Sequence, residues 1–159
     1  MSCDRIKNIV SEIAQELSIE EAVLMAIIKT ESDCNPLAYN KYTNAMGLMQ
    51  ITPVALKHVV QLSGKEVRLD DLYEPRTNIW VGAFYLKWLK FYFDRKFSGI
   101  STWHLTFMAY NWGIGNVVKW LNMKKPNHAK VINIPQETKD YLVKFDFWYN
   151  YYKKQQKSV

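Results

Sequence analysis

The stretch Ala22-Val23-Leu24-Met25-Ala26-Ile27-Ile28-Lys29-Thr30-Glu31-Ser32 constrains this chain more than any other. At about 100° per residue, Leu24, Ile27 and Ile28 fall within roughly 60° of Glu31, while Lys29 falls on the far side. The spacing predicts a helix that carries Glu31 on its apolar face, near its C-terminal end. Desolvation, the lack of a partner in the neighbouring sequence and the negative end of the helix dipole all favour the neutral carboxyl. A carboxyl kept protonated near neutral pH can donate a proton to a leaving group. The alternative is a structural Glu paired with a distant Lys or Arg, since ion pairs also place carboxylates on such faces.

Helical spacing extends over most of the chain. Ile6, Ile9, Val10, Ile13 and Leu17 predict an amphipathic helix over 4–17. Ser18-Ile19-Glu20-Glu21 has the capping-box form, Glu three residues after Ser, and predicts the start of the helix that reaches Ser32. Asn35-Pro36 ends any helical tendency. Residues 35–46 are a polar loop rich in Asn and Tyr, and a short β-hairpin within 35–48 is an option. Thr52 can cap a helix that begins at Pro53, carries Val54, Ala55, His58, Val59 and Leu62, and stops at Ser63-Gly64. A long helix over about 75–94 is apolar on more than one side and reads as the central core helix. Ser98-Gly99 breaks it. Helices near 102–111 and 115–121 follow, then an irregular basic loop over 122–135 and a last helix over about 136–154. The expectation is one all-α domain over 1–159, with at most a minor β-hairpin and its loops gathered around a cleft.

Composition narrows the partners. With 48% apolar and 23% charged residues and only 6 Gly, the chain is globular rather than disordered. Ten Tyr and six Trp supply flat apolar faces with polar handles, good platforms for carbohydrate as well as for a core. The net charge of +6 suits an anionic partner such as a wall polymer, a phospholipid surface or nucleic acid. No basic cluster resembles a nucleic-acid motif, and the run Lys153-Lys154-Gln155-Gln156-Lys157 reads as a solvated end, so no nucleic-acid partner is expected. No window approaches the ~20 apolar residues of a membrane span. Met1-Ser2-Cys3-Asp4-Arg5 lacks the shape of a signal peptide, which leaves a cytoplasmic chain, export by another route, or a trimmed mature part. Cys3 and Cys34 lie in neither a CxxC pair nor a ligand cluster. Two unrelated thiols and one disulfide are both open; the first two helices, if antiparallel, bring the flanking cysteines together, and only an oxidising compartment keeps such a bond.

Four stretches combine polar or flexible residues with apolar flanks: Glu31-Ser32, Gly47-Leu48-Met49-Gln50, Ala109-Tyr110-Asn111, and Pro135-Gln136-Glu137-Thr138 leading to Tyr141. Each has a bland reading. Gly47 can simply shape a turn, Gln50 can bond its own loop, and Asn111 can close a helix. Together, in this order and spacing, they resemble the catalytic domain of the soluble lytic transglycosylases, lysozyme-like enzymes that cleave bacterial peptidoglycan. The resemblance runs from the first helix to Tyr152.

The resemblance implies a lysozyme-like all-α fold and a single catalytic acid and base, Glu31. It implies that Gln50 lines the cleft and touches the sugar chain, that Tyr110 holds Glu31 or the acetamido region of the substrate, and that Asn111 supports the cleft wall. It further implies that Glu137 binds substrate on the far wall and that Gly47 lets the backbone approach the glycan. Ser32, Met49 and Tyr141 complete the implied substrate-binding set. The chain departs from the family pattern at Thr52, Ala55, Trp112 and Ile114, which bears on sugar contacts more than on chemistry. Trp112 is either an extra sugar platform or core.

Most glycosidases use two carboxyl groups. Here no acidic residue lies between Cys34 and Lys65, and Asp33 stands two residues from Glu31, a spacing at which side chains diverge on a helix. A muramic sugar offers a way round. Its 2-acetamido group can assist departure of the leaving group, and its own 6-hydroxyl can attack the anomeric carbon once Glu31, now a carboxylate, takes the proton. The product is a 1,6-anhydromuramic end. No cofactor or metal is called for, and His58, His104 and His128 have no ligand spacing. The expected partner is the peptidoglycan glycan strand, the expected state a monomer, and the expected place the bacterial periplasm or cell envelope. Envelope-machinery or phage-particle partners, and a phage-borne version, stay open. The alternatives are a goose-type-lysozyme-like hydrolase, a non-catalytic glycan-binding or assembly protein of the same fold, and a basic helical nucleic-acid binder.

Overall fold

A computed structural model describes residues 3–97, 101–123 and 133–157. Among these lie seven α-helices and one two-stranded sheet: α1 Lys7–Leu17, α2 Glu21–Ser32, β1 Tyr39–Asn40, β2 Ala45–Met46, α3 Pro53–Ser63, α4 Pro75–Lys96, α5 Thr102–Trp112, α6 Ile114–Met123 and α7 Gln136–Lys157. Short 3-10 turns, Cys3–Ile6 and Leu69–Tyr73, precede α1 and α4. The fold is all-α, as the periodicity predicts. Ser98-Gly99 and most of the basic loop lie outside the described residues.

The chain forms two compact units, Met1–Tyr85 with Phe145–Val159, and Leu86–Lys144. In the first, α1 buries Val10, Ile13 and Ala14 and packs against α2. The joint between these helices differs from the capping-box expectation. Ser18 closes α1 in the left-handed region (φ 56°), its N–H donating to Gln15 O, and α2 starts from Glu20 without a side-chain cap. One residue cannot both close α1 and cap α2 across a three-residue turn, and the α1 end takes it. The α2 helix is buried on every side from Ala22 to Ile28, not on one face. Each large apolar side chain so buried contributes roughly 1.5–3 kcal/mol, which seats this helix firmly in its unit. Cys3 and Cys34 are joined in a disulfide, Cα atoms 5.4 Å apart, which ties the start of the chain to the end of α2.

The other helix signals in this unit act as read. Thr52 Oγ1 accepts from Ala55 N–H (3.2 Å), with Pro53 in the first turn, and Gly64 ends α3 at φ 73°. Ahead of α4, the Glu74 carboxylate accepts from the N–H groups of Arg76 (3.1 Å) and Thr77 (2.6 Å).

In the second unit, Leu86, Leu89 and Phe93 of α4 and Leu105 to Ala109 of α5 are buried. Asp94 accepts from Lys90 (2.7 Å) and from the Thr102 hydroxyl, which couples the end of α4 to the start of α5. Gly113 stops α5 and α6 follows at once.

Candidate active site

Glu31 lies in the last turn of α2, half-buried, just past the fully packed stretch. The chain then reverses through two successive left-handed residues, Asp33 (φ 53°) and Cys34 (φ 63°). The Ser32 hydroxyl bonds the Ile28 carbonyl (3.0 Å) and, across sixteen residues, the Leu48 carbonyl (2.7 Å). The helix that carries Glu31 is thus tied directly to the Gly47-Leu48-Met49-Gln50 loop.

That loop is held from three sides. Met46 and Ile51 exchange backbone hydrogen bonds of 3.0 Å each, which closes it into a tight turn. Gly47 (φ 76°) donates to Ala38 O (2.8 Å). Asn78 of α4, fully buried, accepts from Met49 N–H and donates to the carbonyls of Met46 and Leu72, all at 2.8 Å. A Cβ at Gly47 would collide with this amide and with the Leu72 carbonyl, so the glycine is what lets Asn78 in. Met49 is fully buried against Gly82 and supports the loop from beneath. Gln50 is left-handed (φ 50°), and its side-chain amide donates to Ala38 O (3.2 Å) and Gly47 O (3.0 Å).

These elements enclose an open cavity of about 760 Å³. Glu31, Ser32 and Gln50 line it, as do Lys29, Asp33 and the hairpin residues Tyr39 to Tyr42. Sequence reasoning set Asp33 aside as diverging from Glu31 and missed the rest of this second group. A helical wheel places Lys29 opposite Glu31 and treats Asp33 as helical. The structure ends the helix before Asp33, and the long Lys29 side chain bonds the Asp33 carboxylate beside the cavity. That bond holds the Asp33 carboxyl below its usual range, against the opposing effect of burial. The hairpin did carry a signal, its run of Tyr and Asn. Tyr42 is 85% exposed and Tyr39 53% exposed, with the Tyr39 hydroxyl fixed on Asn44 (2.6 Å).

The second unit brings the other two motifs together. Tyr110 and Asn111 lie in the last turn of α5, both half-buried. The Thr138 hydroxyl, at the start of α7, donates to Asn111 Oδ1 (2.9 Å), so Ala-Tyr-Asn and Glu-Thr are joined by one part-buried bond. Glu137 is exposed on the first turn of α7, and Tyr141 is buried one turn on. Among the described residues, no group of three or more His, Cys, Asp or Glu is placed to hold a metal ion.

The family model for the Transglycosylase SLT domain matches residues 8–133. The chain belongs to that family. Among curated relatives, the SLT domain described here is 31% identical over 143 residues to membrane-bound lytic murein transglycosylase C of Mannheimia succiniciproducens, covering 86% of this chain and 39% of the relative. It is 30% identical over 133 residues to membrane-bound lytic murein transglycosylase E of Buchnera aphidicola, covering 79% and 58%. The chain therefore spans between about a third and three fifths of the curated relatives it matches. Among solved structures, this SLT domain superimposes on the 70 kDa soluble lytic transglycosylase of Escherichia coli with a TM-score of 0.71 at 28% identity, covering 92% of this chain and 24% of that one. It superimposes on a lytic transglycosylase Slt from Pseudomonas aeruginosa with a TM-score of 0.77 at 22% identity, covering 98% and 24%, a likeness of fold. No helix among the described residues is long and apolar enough to cross a membrane.

Proposed function

We propose that this chain is a peptidoglycan lytic transglycosylase that cleaves the β-1,4 bond between N-acetylmuramic acid and N-acetylglucosamine and leaves a 1,6-anhydromuramic end. The observation that carries the reading is the placement of Glu31 in an open cavity beside Gln50, in a chain of the SLT family whose relatives are named lytic murein transglycosylases.

Glu31 is the general acid. Its carboxyl gives a proton to the departing glycosidic oxygen as the 2-acetamido oxygen of the muramic residue closes on the anomeric carbon. The resulting Glu31 carboxylate takes the proton of the muramic 6-hydroxyl, whose oxygen then attacks the anomeric carbon and displaces the acetamido oxygen. The 1,6-anhydro ring forms and Glu31 returns to its acid form. Because the attacking oxygen belongs to the same sugar, its effective concentration replaces a bound water. Exclusion of water favours the ring over hydrolysis.

Around Glu31, Ser32 and the Asn78-anchored loop fix the helix end relative to Gln50. The Gln50 amide N–H groups are turned onto the loop carbonyls. Its carbonyl oxygen is therefore the group it offers to a sugar hydroxyl or acetamido N–H. Tyr39 and Tyr42 supply sugar platforms at the hairpin. Gly47 and Met49 support the loop, and Tyr110, Asn111, Glu137 and Tyr141 of the second unit are the further substrate contacts this reading assigns. The working place of the protein is the bacterial cell envelope, which the disulfide supports because such a bond persists in an oxidising compartment.

Asp33 favours a second reading. It is a second carboxylate on the same cavity, held ionised by Lys29, and a hydrolase needs such a group. Borohydride treatment of products from purified peptidoglycan separates the two. Anhydro ends resist reduction, as expected here; reducible muramic ends establish the hydrolase.

A further inference from the structure

A second cavity, of about 260 Å³, lies beside the Cys3–Cys34 disulfide. Asp4 and Lys7 come to it from the start of the chain, Lys29 from α2, and Trp148, Tyr151 and Gln155 from the last turns of α7. Two of the lining rings, Trp148 and Tyr151, meet edge to face at 5.4 Å and 82°. Tyr151 is 44% exposed, so an aromatic face meets water beside the polar groups of the recess. An aromatic body with a polar handle suits a ligand that has one apolar face and polar edges.

Three features say what it takes. Its charges are paired, Lys7 with Asp4 (3.2 Å) and Lys29 with Asp33, which suits an uncharged polar ligand rather than an ion. Its volume is below the ~300–1,000 Å³ of drug-sized sites, which suits one ring rather than an oligomer. Lys29 lines both this cavity and the one that holds Glu31, so the two adjoin at that residue. The Lys29 ammonium stands 4.9 Å from the half-buried Trp148 ring centroid, and Tyr151, its hydroxyl accepting from Gln155 Nε2 (2.8 Å), is the more exposed of the two rings.

We propose that this recess is an accessory saccharide subsite, taking one N-acetylated hexose of the same glycan strand that lies in the Glu31 cavity. The apolar C–H face of the sugar stacks on Tyr151, and its hydroxyls meet the Asp4–Lys7 pair and Gln155. The inference rests on the reading of the protein as a glycan-cleaving enzyme, and it concerns strand length rather than chemistry.

Tyr151→Ala tests it, with Tyr151→Phe as the variant that keeps the ring. The first arm measures sedimentation with purified peptidoglycan strands in the Glu31→Gln background, where nothing depends on turnover. Tyr151→Ala is expected to weaken binding about 3–10-fold, and Tyr151→Phe to retain most of it. The second arm compares kinetics on long strands and on a disaccharide-repeat fragment too short to pass Lys29. Tyr151→Ala is expected to raise KM on long strands by the same factor and leave kcat and short-fragment turnover unchanged. Unaltered strand binding, or an equal loss on short and long substrates with a lowered melting temperature, overturns the subsite. Strand binding that depends on Tyr151 in a protein that releases no product would keep the subsite and refute the enzyme.

Discussion

The Asn78 side chain occupies the space that any side chain at Gly47 would need. Glycine at this point serves a polar anchor from α4 rather than a turn alone, for Asn78 holds Met46, Met49 and Leu72 at once. Gly47→Ala adds a left-handed Cβ, costing ~1–2 kcal/mol, and overpacking, costing ~1–3 kcal/mol. Asn78→Ala takes this partner from the Met49 N–H and the Leu72 carbonyl and leaves the Met46 carbonyl with the Ile51 N–H alone, at ~1–3 kcal/mol for each group left without a bond where water does not reach. Denaturant melts of both single variants and the double variant are expected to show strong coupling. The alanine at position 47 should cost less once the amide is gone, and additive losses would mean the two residues do not compete for the space.

Glu74 gives a pH dependence with a definite sign. Burial raises its pKa, but the N–H groups of Thr77 and Arg76 outweigh it and hold the carboxyl below its ordinary 4.5. A lowered folded-state pKa contributes stability above the unfolded value and loses it as pH falls through the folded one. The melting temperature of Glu74→Gln is therefore expected to lie below wild type at neutral pH. The gap should close as pH drops below about 4.5. A gap independent of pH would show that Glu74 acts through packing instead.

The disulfide closes a loop of 31 residues in sequence separation. The chain-entropy model assigns it about 3–4 kcal/mol. The double variant Cys3→Ser with Cys34→Ser is expected to melt well below wild type, and a reductant should bring wild type down to the same value. Because the bond anchors the residues just after α2, activity in the variant should fall at temperatures where the fold still holds.

Helix identity was legible in this chain because apolar spacing alone determines it, and Thr52, Pro53 and Gly64 mark α3 through purely local chemistry. The α1–α2 joint was not, since Ser18 satisfies two local patterns and only tertiary packing chooses between them. Within the candidate site, Glu31 and Gln50 were legible as parts of ordered motifs. Lys29 and Asp33 were hidden by a helical wheel that does not know where the helix stops. The Gly47–Asn78 pairing spans two elements and has no signature in spacing. The disulfide was open in sequence because two thiols with no motif carry no distance, and it became definite once α1 and α2 were antiparallel neighbours.

Tyr110 is expected to matter for turnover more than for stability. Tyr110→Phe keeps the ring and removes the hydroxyl. Loss of one hydrogen bond that strengthens in the transition state lowers kcat by ~1–3 kcal/mol of barrier, with the melting temperature little changed. Unchanged kcat would remove Tyr110 from the site.

The most direct test is mass spectrometry of the muropeptides that wild type and Glu31→Gln release from purified peptidoglycan. Glutamine keeps the size and shape of the side chain but cannot pass the proton in either half of the reaction. Wild type is expected to release fragments ending in 1,6-anhydromuramic acid. The variant, folded and still bound to the strands, is expected to lose more than the ~10²–10⁴-fold typical of one general-acid step. Anhydro products from Glu31→Gln at near wild-type rate would contradict the assignment of Glu31 as the acid and base.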